Sequence, residues 1–205
     1  MADADFEEIL NIQEQIENVF YLEKYSIENY FVDKDGIYEL IRERHPTLKD
    51  RDIDALVDLN QNLKNCKILL TDLACAFVII QRYSHGTSYF GLNPPRDCNL
   101  TCNPPAHRNT FISTYLNEIE QELKNIDGRY TWASKKREFV KHFNTLTKAL
   151  RNIPGKYLLN LLKYQLERAG LLNQLSVQTL SYKLSKECSV SQFSELQERI
   201  TDYIE

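Results

Sequence analysis

The fold prediction depends on YSIENY, residues 25–30, and on the DADF sequence near the start of the chain. Asp3 and Asp5 place two carboxylates two residues apart, and Ser26 and Glu28 repeat that spacing with a hydroxyl and a carboxylate. In an extended backbone, residues two apart point to the same face. Each motif can therefore direct two oxygen ligands toward one point, as a hard divalent cation such as Mg²⁺ requires.

A helix and a strand are predicted between the two motifs. Apolar residues recur at mostly helical spacing over residues 6–17, and residues 18–22 (NVFYL) have the aromatic and aliphatic side chains typical of a strand. The order of carboxylate pair, helix, strand and then hydroxyl plus carboxylate describes one unit of an open α/β sheet. Such sheets bind ligands at the carboxyl ends of their strands.

The two motifs resemble those of the OLD-like Toprim proteins, and more closely the domain-of-unknown-function branch that includes the Toprim effector of PARIS-type phage defence. In that branch an Asp-x-Asp motif ends one Toprim strand, and Ser-x-Glu within a YSIENY-like stretch follows the next. A GK-type motif lies further on in a helical region, where this chain has Gly155 and Lys156. The resemblance is specific over residues 3–31 and loose over the helical remainder.

The resemblance implies a nuclease that hydrolyses phosphodiester bonds with Mg²⁺ or Mn²⁺. Asp3 and Asp5 would share one metal with a glutamate from an earlier strand, and Ser26 and Glu28 would help to hold a second. Lys156 would neutralise charge that develops on the phosphate. The implied catalytic residues are thus Asp3, Asp5, Glu28 and Lys156, and the implied metal ligands are Asp3, Asp5, Ser26 and Glu28.

The same resemblance implies the partners and the completeness of the chain. The substrate would be a nucleic acid, either DNA or RNA including tRNA, and an ABC-type ATPase would hold or release the nuclease. A complete Toprim domain begins with a strand that carries the further glutamate, whereas this chain begins two residues before Asp3. The expectation is therefore the carboxyl-terminal part of an anti-phage nuclease, with homodimerisation as one way to cover an exposed sheet edge.

Simpler explanations exist for each of these residues. Asp3 and Asp5 could be helix caps or a frayed acidic terminus, and Glu28 could pair with a basic side chain. Lys156 could be an ordinary solvated lysine near a helix start. The missing first Toprim strand and its glutamate also favour a function of another class, a non-catalytic helical module that binds a partner or dimerises.

Composition indicates a helix-rich globular protein with an uneven charge distribution. Hydrophobic residues make up 42% and charged residues 26% of 205 residues, with only six glycines and six prolines. The net charge is −4, but residues 129–168 carry ten Lys or Arg against two Glu. The most apolar run, residues 68–80, is too short to span a bilayer. The acidic start and five scattered cysteines favour a cytoplasmic protein with reduced thiols and no membrane association.

The predicted fold class is mostly α, with an amino-terminal remnant of an α/β Toprim domain followed by a multi-helix domain. The turn signal at residues 33–36 (DKDG) places the boundary, so the two parts are residues 1–33 and 34–205. Helices are predicted at residues 37–44, 47–62, 64–83, 110–126, 134–151, 154–170, 176–185 and 191–203. Residues 84–107, with NPP twice, form the one long loop.

Arg137, Lys141, Lys148 and Arg151 would lie on one face of the predicted helix 134–151. A stripe of this kind can hold a phosphate backbone. Its more common explanation is the solvated back of an amphipathic helix.

The long loop carries a candidate zinc site made of His85, Cys98, Cys102 and His107. Cysteine and histidine ligands at short spacing are typical of structural zinc sites, which would also explain an ordered loop. The spacing is not that of a standard finger, so zinc is the less favoured cofactor. A zinc-stabilised nucleic-acid-binding protein is the third functional class left open.

Overall fold

The computed structural model describes residues 3–14, 16, 19–83, 86–108 and 110–204, and its fold is mostly helical, as predicted. The helices are α1 Glu7–Leu10, α2 Lys34–Arg44, α3 Asp50–Leu56, α4 Leu59–Tyr83, α5 Pro94–Asp97, α6 Thr110–Ile126, α7 Trp132–Phe139, α8 Leu146–Asn152, α9 Gly155–Arg168, α10 Val177–Glu187 and α11 Ser194–Ile204. Short 3₁₀ turns lie at Ile27–Asn29, Val140–His142 and Val190–Phe193. Strands β1 Cys98–Asn99 and β2 Ala106–His107 pair antiparallel.

Helix α4 is the central element of the core. Its 25 residues correspond to a length of about 37 Å, and every residue from 73 to 80 is buried. It packs against α7, α8 and α9, while α10 packs on both α9 and α2. The apolar stripe of α9, which includes Leu158, Leu162 and Leu166, is buried against these neighbours. Helical periodicity in the sequence therefore located the two helices that contribute the most buried apolar residues.

The amino-terminal segment belongs to the same core as the helices. Phe6, Leu10, Leu22 and Tyr30 are all buried within one continuous hydrophobic cluster that includes α4 and α9. Because the cluster crosses position 33, residues on both sides of the predicted boundary are packed together. The start of α2 does coincide with that boundary, since Asp33 caps the helix by accepting from the Gly36 backbone N–H at 3.0 Å.

The predicted helix over residues 6–17 and the predicted strand over 18–22 are not what the structure shows. Helix α1 ends after one turn, because Asn11 takes a left-handed conformation and its N–H closes the turn. Ile12 beyond it is 47% exposed, so it has no apolar surface to bury against. Residues 19–22 form no continuous strand, although Tyr21 makes an isolated β-bridge, and residues 15, 17 and 18 lie outside the described residues. Further along, the backbone N–H of Tyr25 donates to Arg151 O at 2.8 Å.

The predicted helix over residues 47–62 is divided into α3 and the start of α4. Val57 is extended and ends α3. Asp58 then caps the next helix, accepting from the Gln61 backbone N–H at 2.9 Å. The apolar spacing continues across this break, which is why periodicity alone joined the two helices.

The long loop has regular structure that was not predicted. Asp97 at the end of α5 is fully buried, accepts from the Asn93 backbone N–H at 2.8 Å and pairs with Arg96. Its carbonyl oxygen accepts from the Arg108 N–H, which closes the loop beside β1 and β2. These contacts explain the order of the loop. In the part of the chain that the structure describes, no helix has the length and apolar character of a membrane span.

Candidate active site

The two sequence motifs lie in direct contact. The Asp5 backbone N–H donates to Tyr25 O at 3.0 Å, and Asp3 Oδ1 accepts from the Ile27 N–H at 3.3 Å. Ile27 opens the 3₁₀ turn that carries Glu28. The structure therefore brings the acidic pair beside the second motif, although no sheet joins them in residues 3–14, 16 and 19–31.

The environment of Asp5 disfavours its negative charge. Burial raises the pKa of the Asp5 carboxyl above its ordinary value of 3.8, the charge of Asp3 raises it further, and a hydrogen bond from Tyr25 opposes the shift. The Tyr25 ring itself lies edge-on to Phe6 with centroids 4.7 Å apart, and burial raises the pKa of its hydroxyl. Two carboxyl groups with this mutual repulsion are a favourable place for a cation, which would offset it.

Glu28 and Lys156 form the other half of the site. The Glu28 side chain is only 14% exposed, and Lys156 Nζ lies 3.8 Å from its Oε1. The Lys156 side chain is 78% exposed, so its ammonium group can move toward a ligand. Lys156 is the second residue of α9, and the structure places it beside the Glu28 of the Ser-x-Glu motif.

Asn29 fixes this geometry, and sequence reasoning missed it. Its side chain is buried and donates through Nδ2 to Leu150 O at 2.7 Å and to Ile153 O at 2.8 Å. Its Oδ1 accepts from the backbone N–H and the hydroxyl of Ser26 at 3.0 and 3.1 Å. Ser-x-x-Asn is a helix-start pattern that could have indicated this role. The turn is thereby tied to the segment that leads from α8 to α9.

Ser26 has a structural contact in place of a free ligand position. It is buried, and its hydroxyl donates to Asn29 Oδ1. Within the described ranges, no three side chains of His, Cys, Asp or Glu are grouped so that they could hold a metal ion. The metal roles of Asp3, Asp5, Ser26 and Glu28 therefore remain predictions.

A pocket of about 590 Å³ opens beside Glu28 and Lys156. Leu92, Tyr157 and Val177 supply its apolar wall, and amide and hydroxyl groups complete the lining. The full set is Glu28, Gly91, Leu92, Lys156, Tyr157, Asn160, Val177, Gln178 and Ser181. These residues come from four separate parts of the chain, so no local pattern in the sequence could have indicated the pocket.

The predicted basic stripe is not one face of a helix, so that prediction is wrong in its geometry. The chain breaks between α7 and α8, where Phe143 is fully buried and the Thr145 hydroxyl caps α8 by accepting from the Lys148 N–H at 3.2 Å. Arg137 lies on α7, whereas Lys141 lies in the 3₁₀ turn that follows it.

The basic residues of α8 also have contacts of their own. Both Glu8 oxygens accept from Arg151 Nη2, at 2.8 and 2.7 Å, and Lys148 Nζ donates to Lys141 O at 3.5 Å. Lys141 also lines a separate pocket of about 480 Å³ with Arg82. A role of these residues in binding nucleic acid remains a prediction.

The candidate zinc ligands are only partly brought together. Cys98 lies opposite His107 across the two strands, and Cys102 Sγ donates to Asn99 O at 3.3 Å, while His85 lies outside the described residues. Burial raises the pKa of the Cys98 thiol to about 12 and lowers the pKa of His107. In the described part of the loop, Cys98, Cys102 and His107 do not form a metal-binding group.

Comparison with known proteins gives no relative from which a role could be transferred. No family model, no curated protein and no solved structure matches the chain.

Proposed function

We propose that the chain is part of a metal-dependent nuclease of the Toprim family, an anti-phage effector that works with an ATPase partner. One observation carries the proposal. Asp3 and Lys156, about 150 positions apart in the sequence, both contact the short turn at Ile27–Asn29 that carries Glu28, and Asp5 contacts Tyr25 just before this turn. The family and its partner enter through the resemblance of the two motifs.

Each residue has a distinct task in this proposal. Asp3 and Asp5 would hold Mg²⁺ or Mn²⁺, and the charge of the metal would offset the burial and the Asp3 charge that raise the pKa of Asp5. When bound, the metal would supply a nucleophilic water and stabilise the leaving oxygen. Glu28 would orient the ligands of this metal from the neighbouring turn. Lys156 would leave Glu28, 3.8 Å away, to neutralise the phosphate.

A second candidate function is a non-catalytic interaction module. One observation favours it: the polar groups near the turn have partners within the chain. Ser26 donates to Asn29, and Glu28 lies beside Lys156. A module of this kind would use the same surface to bind the ATPase or a second copy of the chain.

The deciding experiment measures cleavage of mixed DNA and RNA with Mg²⁺, Mn²⁺ or EDTA. Asp3→Ala/Asp5→Ala and Lys156→Ala are each expected to lower the metal-dependent rate by about 100-fold or more. Glu118→Ala/Glu122→Ala, which removes two exposed carboxylates from α6, is the matched control and should leave the rate unchanged. A folded wild-type protein without metal-dependent cleavage would leave the interaction module, which light scattering and partner binding would then test.

A further inference from the structure

The pocket beside Lys156 is lined by several residues that have no task in the nuclease proposal. Leu92 is buried and Val177 half-buried, and together they give the pocket two aliphatic surfaces. The Tyr157 ring forms a third, held in place because its hydroxyl donates to Phe90 O at 2.8 Å. Flat apolar surfaces with a few fixed polar groups are typical of small-molecule sites.

The polar groups of the pocket can both donate and accept hydrogen bonds. Asn160 Nδ2 donates to Leu92 O at 3.2 Å, which leaves its amide oxygen to accept from a ligand. Gln178 and Ser181, on successive turns of α10, add an amide and a hydroxyl. Side-chain amides and hydroxyls of this kind recognise the edges of nucleobases.

Lys156 adds a positive charge to the lining of the same pocket. Its side chain is 78% exposed, and Glu28 Oε1, which also lines the pocket, is 3.8 Å from its Nζ, longer than a hydrogen bond. A phosphate could therefore take the ammonium group from this carboxylate. A ligand with an aromatic ring against Leu92, Tyr157 and Val177 and an anion at Lys156 would complement the pocket.

We propose that this pocket binds the base of a nucleoside phosphate whose phosphate group lies at Lys156. The inference deepens the proposed nuclease function, on which it rests, by assigning the pocket to the nucleotide that flanks the scissile phosphate. The volume of about 590 Å³ lies within the usual range of small-molecule pockets. Stacking against apolar walls tolerates different bases, so recognition of several bases follows.

Binding is measured by calorimetry in EDTA, with the 5′-monophosphates of adenosine, guanosine, cytidine and uridine as probes. Dissociation constants in roughly the micromolar to millimolar range are expected. The corresponding nucleosides test the phosphate contact, because they should bind about tenfold more weakly, and Lys156→Ala should remove that difference. A short single-stranded oligonucleotide in a parallel titration distinguishes a site for free nucleotides from one for nucleic acid.

Two pairs of variants locate the site. A Cβ at Gly91 or at Gly128 would meet nothing within 4 Å, so both positions have room for a larger side chain. Gly91→Phe places a ring in the pocket lining and should weaken binding by about tenfold or more, whereas Gly128→Phe should not. Val177→Trp is the second blocking variant, and Val190→Trp, at a position that is 66% exposed, is its control.

The outcomes separate this inference from the nuclease proposal. Binding in EDTA that both blocking variants weaken and both controls retain supports the pocket, and Asp3→Ala/Asp5→Ala should retain it while losing cleavage. Wild-type cleavage without nucleotide binding, or equal binding by blocking and control variants, overturns the pocket and leaves the nuclease proposal standing. Nucleotide binding without metal-dependent cleavage supports the pocket and removes the nuclease.

Discussion

Gly155 lies directly against Asn29, so that a Cβ added at position 155 would be 2.7 Å from both the Asn29 backbone nitrogen and its Oδ1. The same Cβ would be 2.7 Å from that of Glu28. All three atoms belong to the turn at Ile27–Asn29. The Asn29 nitrogen and the Glu28 Cβ cannot rotate away, because they are part of the backbone or bonded directly to it. The glycine at the start of α9 therefore allows Lys156 to lie next to Glu28.

Gly155→Ala should consequently destabilise the protein and separate the two halves of the site. We expect a loss of about 1–3 kcal/mol in the free energy of unfolding, because the overlap must be relieved by moving the turn or α9. Urea denaturation measures this loss. Gly128→Ala is the matched control, since its new methyl group would meet nothing within 4 Å. Equal stability of the two variants would contradict the close packing at Gly155.

Asn29 should be among the most sensitive polar residues of the chain. Asn29→Ala leaves the carbonyl oxygens of Leu150 and Ile153 without its amide donors, and the Ser26 N–H without an acceptor. Unsatisfied buried groups of this kind cost about 1–3 kcal/mol each, so we expect the three together to cost at least about 3 kcal/mol. Chemical denaturation checks it, with exposed Asn173→Ala as the control. A loss as small as that of the control would mean that solvent replaces these contacts.

The sequence allowed some elements to be predicted because their signals are local. The apolar spacing of α4 and α9 is a direct consequence of burying one or more faces of a helix. The break between α7 and α8 was missed although Thr145 is a common capping residue, because the apolar pattern continues across it. Local caps and periodicity conflicted there, and burial of Phe143 decided the outcome.

The candidate site likewise contains residues that could be predicted from the sequence and residues that could not. Asp3, Asp5 and Glu28 were selected from motif spacing and Lys156 from the family resemblance; the structure places Asp3 and Lys156 against the turn that carries Glu28. Asn29 was within the quoted motif, but its two contacts reach residues more than 120 positions away. Long-range contacts of this kind leave no periodic or spacing signal in the sequence. The residues that line the pocket beside Lys156 are brought together by such contacts, so the pocket could not be predicted.

Thiol reactivity should distinguish the two interpretations of the long loop. Cys66, Cys75 and Cys98 are buried, and burial raises the pKa of each of these thiols to about 12. Cys102 and Cys188 are only partly buried. We therefore expect at most two of the five cysteines to react with a colorimetric disulfide reagent in the native protein, and all five after unfolding.

The test identifies which cysteines supply the reactive thiols. Cys102→Ser should remove one reactive thiol, and Cys188→Ser the other, with or without a chelator. If Cys102 reacts only after a chelator is added, with release of one zinc per chain, the loop holds zinc and the Cys98 thiol is not protonated in the native protein. Metal analysis of the same samples provides the independent readout.

The raised pKa of Asp5 gives a pH dependence with a definite sign. A carboxyl group whose pKa is higher in the folded than in the unfolded chain lowers stability as pH rises from its ordinary value of 3.8 through its folded value, and the loss then persists to neutral pH. Asp5→Asn removes that loss. The residue also has a φ of 44°, which asparagine tolerates well. At pH 7 in EDTA the variant should be more stable than the wild type, by less than about 1 kcal/mol because the group is partly exposed to solvent.

The advantage of Asp5→Asn should shrink as pH falls through the folded pKa toward 3.8 and be absent well below it, where the wild-type carboxyl is protonated in both states. Asp35→Asn, in the exposed first turn of α2, is the control with the opposite expectation, because it removes a charge that favours a helix amino terminus. Saturating Mg²⁺ should reverse the sign at pH 7 if Asp5 binds metal, since only the wild type then gains binding energy. A stability difference that changes with neither pH nor Mg²⁺ would show that Asp5 is not repelled by Asp3 and does not bind a cation.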